Sequence, residues 1–222
     1  PSGYAALNTT ALPAATIADG SEYFDTKLYT GNSGTNTITG LEFSPDWTWI
    51  KKRNSTSYHS IHDTVRGATK RLRSEGNAAE TTETTALTAF TSDGFTLGSG
   101  GTANGNNDSF ASWNWDAGSS TVSNTDGSIT SSVRANQAAG FSICTYTGST
   151  GNQSFGHGLN DAPKFIAIKN RSSSANWFVM VDIGTTYYKY GHLNTTAAFA
   201  NATAQPVSNT TVTLGNNNAW FG

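Results

Sequence analysis

The sequence predicts an all-β protein built as two tandem β-sandwich repeats with only short helical turns. Three observations carry that expectation: a composition rich in β-branched and turn-forming polar residues, a series of short apolar runs separated by Gly, Asn and Ser, and one block of sequence that occurs twice. Of the 222 residues, roughly 80 are Thr, Ser or Asn and 23 are Gly, and the charged share is 13% where an average soluble domain carries about 25%. Thr-rich, Gly-punctuated sequence favours short strands and tight turns. Aromatic residues at 11%, six of them Trp, give enough bulk for a core and argue against disorder.

The repeated block is PDWTWIKKRNSTSYHSIHD at 45–63, echoed by PKFIAIKNRSSSANWFVMVD at 163–182. Thr30-Gly31 matches Thr147-Gly148 at an offset of 117, 47–53 matches 165–171 at 118, Asp63 matches Asp182 at 119, and 96–98 matches 213–215 at 117. Four anchors in order with little drift imply one fold present twice, its loops free to vary. The organisation expected is an N-terminal linker at 1–20, a first sandwich at 21–118, a linker with a short strand at 119–139 and a second sandwich at 140–222.

Taken in order, WTWIKK and FIAIK place hydrophobics on both faces, as a central strand covered on each side requires. YHSIHDTV and WFVMVD each follow a Ser/Asn-rich turn and read as the second strand of a hairpin. GATKRLRSE and NAAETTETTAL are the only stretches that could form short helical turns, and their β-branched Thr residues argue against longer helices. In SFASWNW the two indoles, Trp113 and Trp115, lie two apart and so share one strand face.

Charge and cysteine content exclude several function classes. A net charge of −2 without a basic stripe removes the electrostatic term on which nucleic-acid binding rests. No apolar run approaches the ~18 residues of a membrane span, so no membrane partner is expected. Cys144 is the only cysteine, which rules out an intrachain disulfide, and within FSICTY it reads as a small buried hydrophobe.

Candidate chemistry was weighed against structural roles. Asp63 and Arg66 in HDTVRG form a local pair that orders a turn, with no nucleophile or second acid beside them. His59 and His62 are three apart on a strand, hence on opposite faces and unable to share a metal. His157, between two glycines, reads as a turn residue. The loop GTANGNNDS could offer Asn104, Asn106 and Asp108 to calcium, but it has one carboxylate and no terminal Glu. Glu75, Glu80, Glu83 and Asp93 form the densest acidic group; a glycosidase needs two carboxylates facing one cleft about 5 to 9 Å apart, and these lie in polar, loop-like sequence. No catalytic residue, metal or cofactor is expected. The aromatics left over by the core pattern, Trp177, Tyr187, Tyr188 and Tyr190, are the candidates for stacking on a sugar. Asp63, Arg66, Trp113, Trp115 and His157 are expected to be structural.

The phrases FSPDWTWIKKR, HDTVRGATKRL, AAETTETTALTAFTSDGFTLG, DGSITSSV and GHGLNDAPKFIAIKNR resemble a family of uncharacterised repeat modules in bacteriophage, notably cyanophage, tail-fibre and other virion proteins. The resemblance runs over nearly the whole chain and implies concanavalin A-like, jelly-roll sandwiches located at the virion surface. It implies a non-enzymatic structural module that self-associates into a homo-oligomer and meets other virion proteins. A lectin-like module recognising host-surface glycans is the alternative. One further expectation comes from the repeat: the counterpart of SFASWNW falls at 226 to 232, so the second sandwich is expected to lack that strand, either because the polypeptide continues or because another chain inserts one.

Overall fold

The computed structural model describes residues 17–184, 188–202 and 207–214. It is an all-β protein whose strands pair antiparallel in several sheets, as a β-sandwich requires. The first half carries a 3-10 turn (Gly20–Glu22), β1 (Phe24–Thr30), β2 (Asn36–Ile38), β3 (Trp47–Lys52), β4 (Ser60–Asp63), β5 (Gly67–Leu72), β6 (Thr81–Thr82), β7 (Leu87–Thr91), β8 (Gly94–Leu97), a short α-helix α1 (Gly101–Asn104) and β9 (Ser109–Trp115). The second half carries β10 (Thr121–Asn124), β11 (Ser131–Asn136), β12 (Phe141–Tyr146), β13 (Gln153–Gly156), β14 (Phe165–Ile168), β15 (Phe178–Asp182), β16 (Tyr188–His192), β17 (Ala200–Asn201) and β18 (Thr211–Leu214).

In the first half a six-stranded sheet in the order β1-β9-β3-β4-β5-β6 faces a three-stranded sheet β2-β8-β7. Strand alternation sends Ile50 and Phe110 inward, where they join Leu87, Phe95, Leu97, Ala86 and Ala103 in one fully buried cluster. The last strand, β9, lies between β1 and β3 and pairs along its whole length with β1. In the second half β14-β15-β16-β17 form one sheet, β10-β11-β12 a second and the pair β13-β18 a third. Their shared core holds Phe155, Phe178, Met180, Tyr188, Val212 and Leu214.

Several local expectations change. The 119–139 stretch, expected to be a linker with one short strand, contains both β10 and β11 and extends the sheet of β12. A single apolar residue in each, Val122 and Val133, left too little periodicity to see. GATKRL is strand β5 and not a helical turn, in line with its β-branched Thr, while the loop GTANGNNDS holds α1. Asp63 sits across from Trp47, but the residue across from Phe165 is Val181, so Asp182 lies one position beyond the place its sequence anchor assigned. Among the described residues no helix is long and apolar enough to cross a membrane.

Candidate functional site

The outer face of the six-stranded sheet is built from tryptophan. Register places Trp47, Trp115 and Phe24 in one row and Trp49 and Trp113 in the next, so the alternation read from SFASWNW and WTWIK converges on one surface. Trp49 and Trp113 meet edge to face at 6.3 Å, and Phe24 lies 4.8 Å from Trp115. Part of this surface is covered by the second half, although Phe24 at its edge is exposed. Phe141 of β12 stacks on Trp115 at 5.8 Å and meets Trp47 edge-on at 6.4 Å. Trp177 packs against Ile61 and Leu72 with its indole Nε1–H donating to the Arg73 carbonyl at 2.6 Å.

Charge reinforces this seam. The Arg66 guanidinium, almost fully buried, bonds Asp63 through Nε and Glu80 through Nη1 at 3.1 Å. Glu80 also receives Arg171 of the second half in a two-pronged pair, Nε to Oε2 at 2.8 Å and Nη2 to Oε1 at 3.0 Å. Burial alone would raise the Glu80 carboxyl, but the hydrogen bonds from Arg171 and Arg66 outweigh it and hold it below its ordinary range. At the other end of the seam Asp46 takes Arg134 of β11 at 2.7 Å and also accepts from the Ala117 amide and the Thr64 hydroxyl. There burial wins over the partners and pushes the carboxyl up.

Between the seam's walls lies a cavity of about 1400 Å³. Trp47, Trp49 and Trp115 form one side, β12 and β14 the flanks, and Phe155, Val212 and Leu214 the far side. The lining is mixed: aromatic and aliphatic rows lie beside Ser, Thr, Gln and Asn side chains and the charges of Glu80, Lys169 and Arg171, a combination suited to peptide-like groups that carry both apolar and hydrogen-bonding surface.

The candidate residues fall as follows. Trp177 is 3% exposed and Tyr188 is 2% exposed, its hydroxyl donating to the Pro163 carbonyl at 2.8 Å, so neither offers an open face to a sugar. Tyr190 packs against the second core, beside Phe178, and Tyr187 lies outside the described residues. Among the described residues the aromatic rings that do stand in solvent include Phe165, 58% exposed, and Tyr58, 56% exposed with the Arg73 guanidinium 4.4 Å above it.

The acidic group is dispersed over separate tasks. Glu75 accepts from the His59 amide, Glu83 pairs with Arg71, and Asp93 receives the Gly40 amide. Asn104, on α1, is buried and stitches Asn32, Gly34 and Gly98 together, while Asp108 pairs with Lys52. Asp63 and Arg66 form the expected pair, within a network larger than a turn. Among the described residues no three His, Cys, Asp or Glu side chains converge as a metal site would need.

Two histidines are fixed in opposite tautomers. His62 Nδ1 lies 2.6 Å from the Ala68 carbonyl, which can only accept, so Nδ1 carries the proton and Nε2 accepts from Ser60. His157 Nδ1 accepts the Leu159 amide, which leaves Nε2 to donate to the Ser208 carbonyl at 3.2 Å. The GHGL phrase thus has a physical reason. Gly156 has no room for a Cβ because the Asn124 carboxamide occupies it, and Gly158 adopts φ +72° so that the chain can turn around His157.

Sequence reasoning missed Phe141, Arg134, Asp46 and the cross-half pairing of Arg171 with Glu80. Arg171 was visible inside the repeated block, but nothing in the spacing announces a partner 91 residues away.

The profile of a domain of unknown function, DUF7483, matches residues 19–221, and the chain belongs to that family. No curated protein and no solved structure matches it.

Proposed function

We propose that the chain is a structural module of a virion appendage such as a phage tail fibre, made of two tandem concanavalin A-like sandwiches, whose work is spacing and presentation. The observation that carries this reading is the seam. Trp47 and Trp115, which meet Phe141, and the Asp63–Arg66–Glu80–Arg171 network hold one half against the other. Side chains that could have served catalysis are engaged in that joint or in hydrogen bonds within the fold. A body fixed in this way transmits position and orientation along a particle.

The tandem part of the reading is supported by register. Asn36↔Leu97 and Ile38↔Phe95 recur as Gln153↔Leu214 and Phe155↔Val212, each 117 residues on. Trp47↔Asp63 and Ile50↔Ser60 recur as Phe165↔Val181 and Ile168↔Phe178, 118 on. Lys70↔Thr82 and Arg71↔Thr81 recur as Lys189↔Asn201 and Tyr190↔Ala200, 119 on. Pair-for-pair agreement of this kind is what one fold used twice produces.

The test is location. Antibody raised against this chain should label appendages of purified particles in electron micrographs, and particles free of label would overturn the reading. A glycan array separates it from the lectin alternative: binding to a defined glycan that disappears in Tyr58→Ala would favour receptor recognition. Light scattering at micromolar concentration should show a homo-oligomer.

A further inference from the structure

We propose that the cleft between β12 and β14 is an acceptor site for one extended β-strand with the side-chain alternation of β9. The inference rests on the tandem reading above. In the first half β9 joins β1 to β3, pairing with both. In the second half the matching strands, β12 and β14, are both sheet edges: among the described residues β12 pairs only with β11 and β14 only with β15.

Both edges border the 1400 Å³ cavity. An edge strand presents a row of unpaired N–H and C=O groups, and proteins commonly blunt it with charge, proline or a bulge. Neither FSICTY nor FIAI carries a charge or a proline. Two such edges on one cavity make a template for β-augmentation, in which the backbone of the incoming strand satisfies both rows at once.

The surroundings define the occupant. One side chain row would face Phe155, Val212 and Leu214, and the alternate row would face Trp47, Trp49 and Trp115. The pattern of β9 meets a comparable demand, with Phe110, Ser112 and Asn114 turned to its core and Ala111, Trp113 and Trp115 turned away. In the first half β9 follows β8, and β18, the match of β8, ends at Leu214, which itself lines the cavity. A strand seated there would fuse the β10–β12 and β14–β17 sheets into one.

Cys144 provides the test because it is the only cysteine and lies 117 residues after Lys27, whose partner on β9 is Ser112. Directly paired residues of antiparallel strands are ~4.5–5.5 Å apart at Cα, within the span of a disulfide. A chain in which residues 98–117 are grafted after Leu214 is made in three forms, with Ala111→Cys, Ser112→Cys or Trp113→Cys in the graft. Each is oxidised at pH about 9, since burial pushes the Cys144 thiol up to about 11.

The proposal expects an intramolecular disulfide at least tenfold more abundant for Ser112→Cys than for its neighbours, and a Tm several degrees above that of a graft with the strand sequence scrambled. A disulfide from Ala111→Cys or Trp113→Cys alone would keep the acceptor site and overturn the register on which the tandem reading depends. Disulfides found only between chains, without preference for Ser112→Cys, would overturn the site. No disulfide from any position, with no rise in Tm, would overturn the site itself. If the grafts do not fold, free peptides copying 107–117 with the same substitutions, added to the unaltered chain, give the same decision on site and register.

Discussion

Two hairpins of the molecule occupy similar places and are filled in opposite ways. Across β3 and β4, Thr48 faces His62 and Ile50 faces Ser60; across β14 and β15, Ile166 faces Met180 and Ile168 faces Phe178. The first hairpin continues into a buried polar row in which Thr48 donates to Asn114, Asn114 donates to Ser112 and to the Asp25 carbonyl, and Ser60 meets His62. The second is apolar. A polar row holds only if each member finds its partner, whereas an apolar row asks for volume alone, so the first half buys uniqueness of packing where the second gains transfer energy.

Truncation gives the sharpest break between them. Phe178→Ala in the apolar row should cost ~3–5 kcal/mol in urea unfolding, through lost burial and the space left behind. A value below ~1 kcal/mol would show that the second core is loosely packed and would erase the contrast.

Acid should act through the first hairpin. Burial is the main cause that lowers His62 from its ordinary 6.5 to about 3. Between those values the unfolded chain binds the extra proton and the folded chain does not, so stability is complete above pH 6.5 and falls as pH drops toward 3. The loss from this group is ~2 kcal/mol by pH 5, at ~1.4 kcal/mol per pH unit. His62→Gln should flatten that slope between pH 6.5 and 5, and an unchanged slope would sink the assignment.

The seam should respond least. Arg171→Gln removes the cross-half partner of Glu80 while leaving Glu80 paired with buried Arg66, and because Arg171 is 41% exposed the effect on unfolding is expected at ~0–1 kcal/mol, shrinking with added salt. A salt-independent loss of several kcal/mol would mean that the network, and not the tryptophan face, joins the halves.

Much of this was legible before any coordinates. The two-residue spacing of Trp113 and Trp115 in SFASWNW put both indoles on one face, and WTWIK and FIAIK each open a hairpin as expected. The polar row was not legible, because Thr48, Ser60, Ser112 and Asn114 are residue types that read as surface or turn, and only a folded sheet shows their mutual hydrogen bonds. FIAIK was expected to be central because its hydrophobics fall on both faces; β14 is an edge whose second neighbour is missing among the described residues. Trp177 was illegible for a related reason: an aromatic beyond the core pattern of its own half is buried against Ile61 and Leu72 of the other.

The pairing of β1 with β9 has a mechanical consequence. Phe24 begins one strand and lies across from Trp115, which ends the other, so the polypeptide enters and leaves the first half side by side. Tension applied along the chain would therefore not shear this pair as a block. It would peel it like a zipper, one rung at a time, starting from the Phe24–Trp115 end. Phe141 is stacked on that same Trp115, so the second half sits over the zipper's open end, and a pull must dislodge it before the first rung can part.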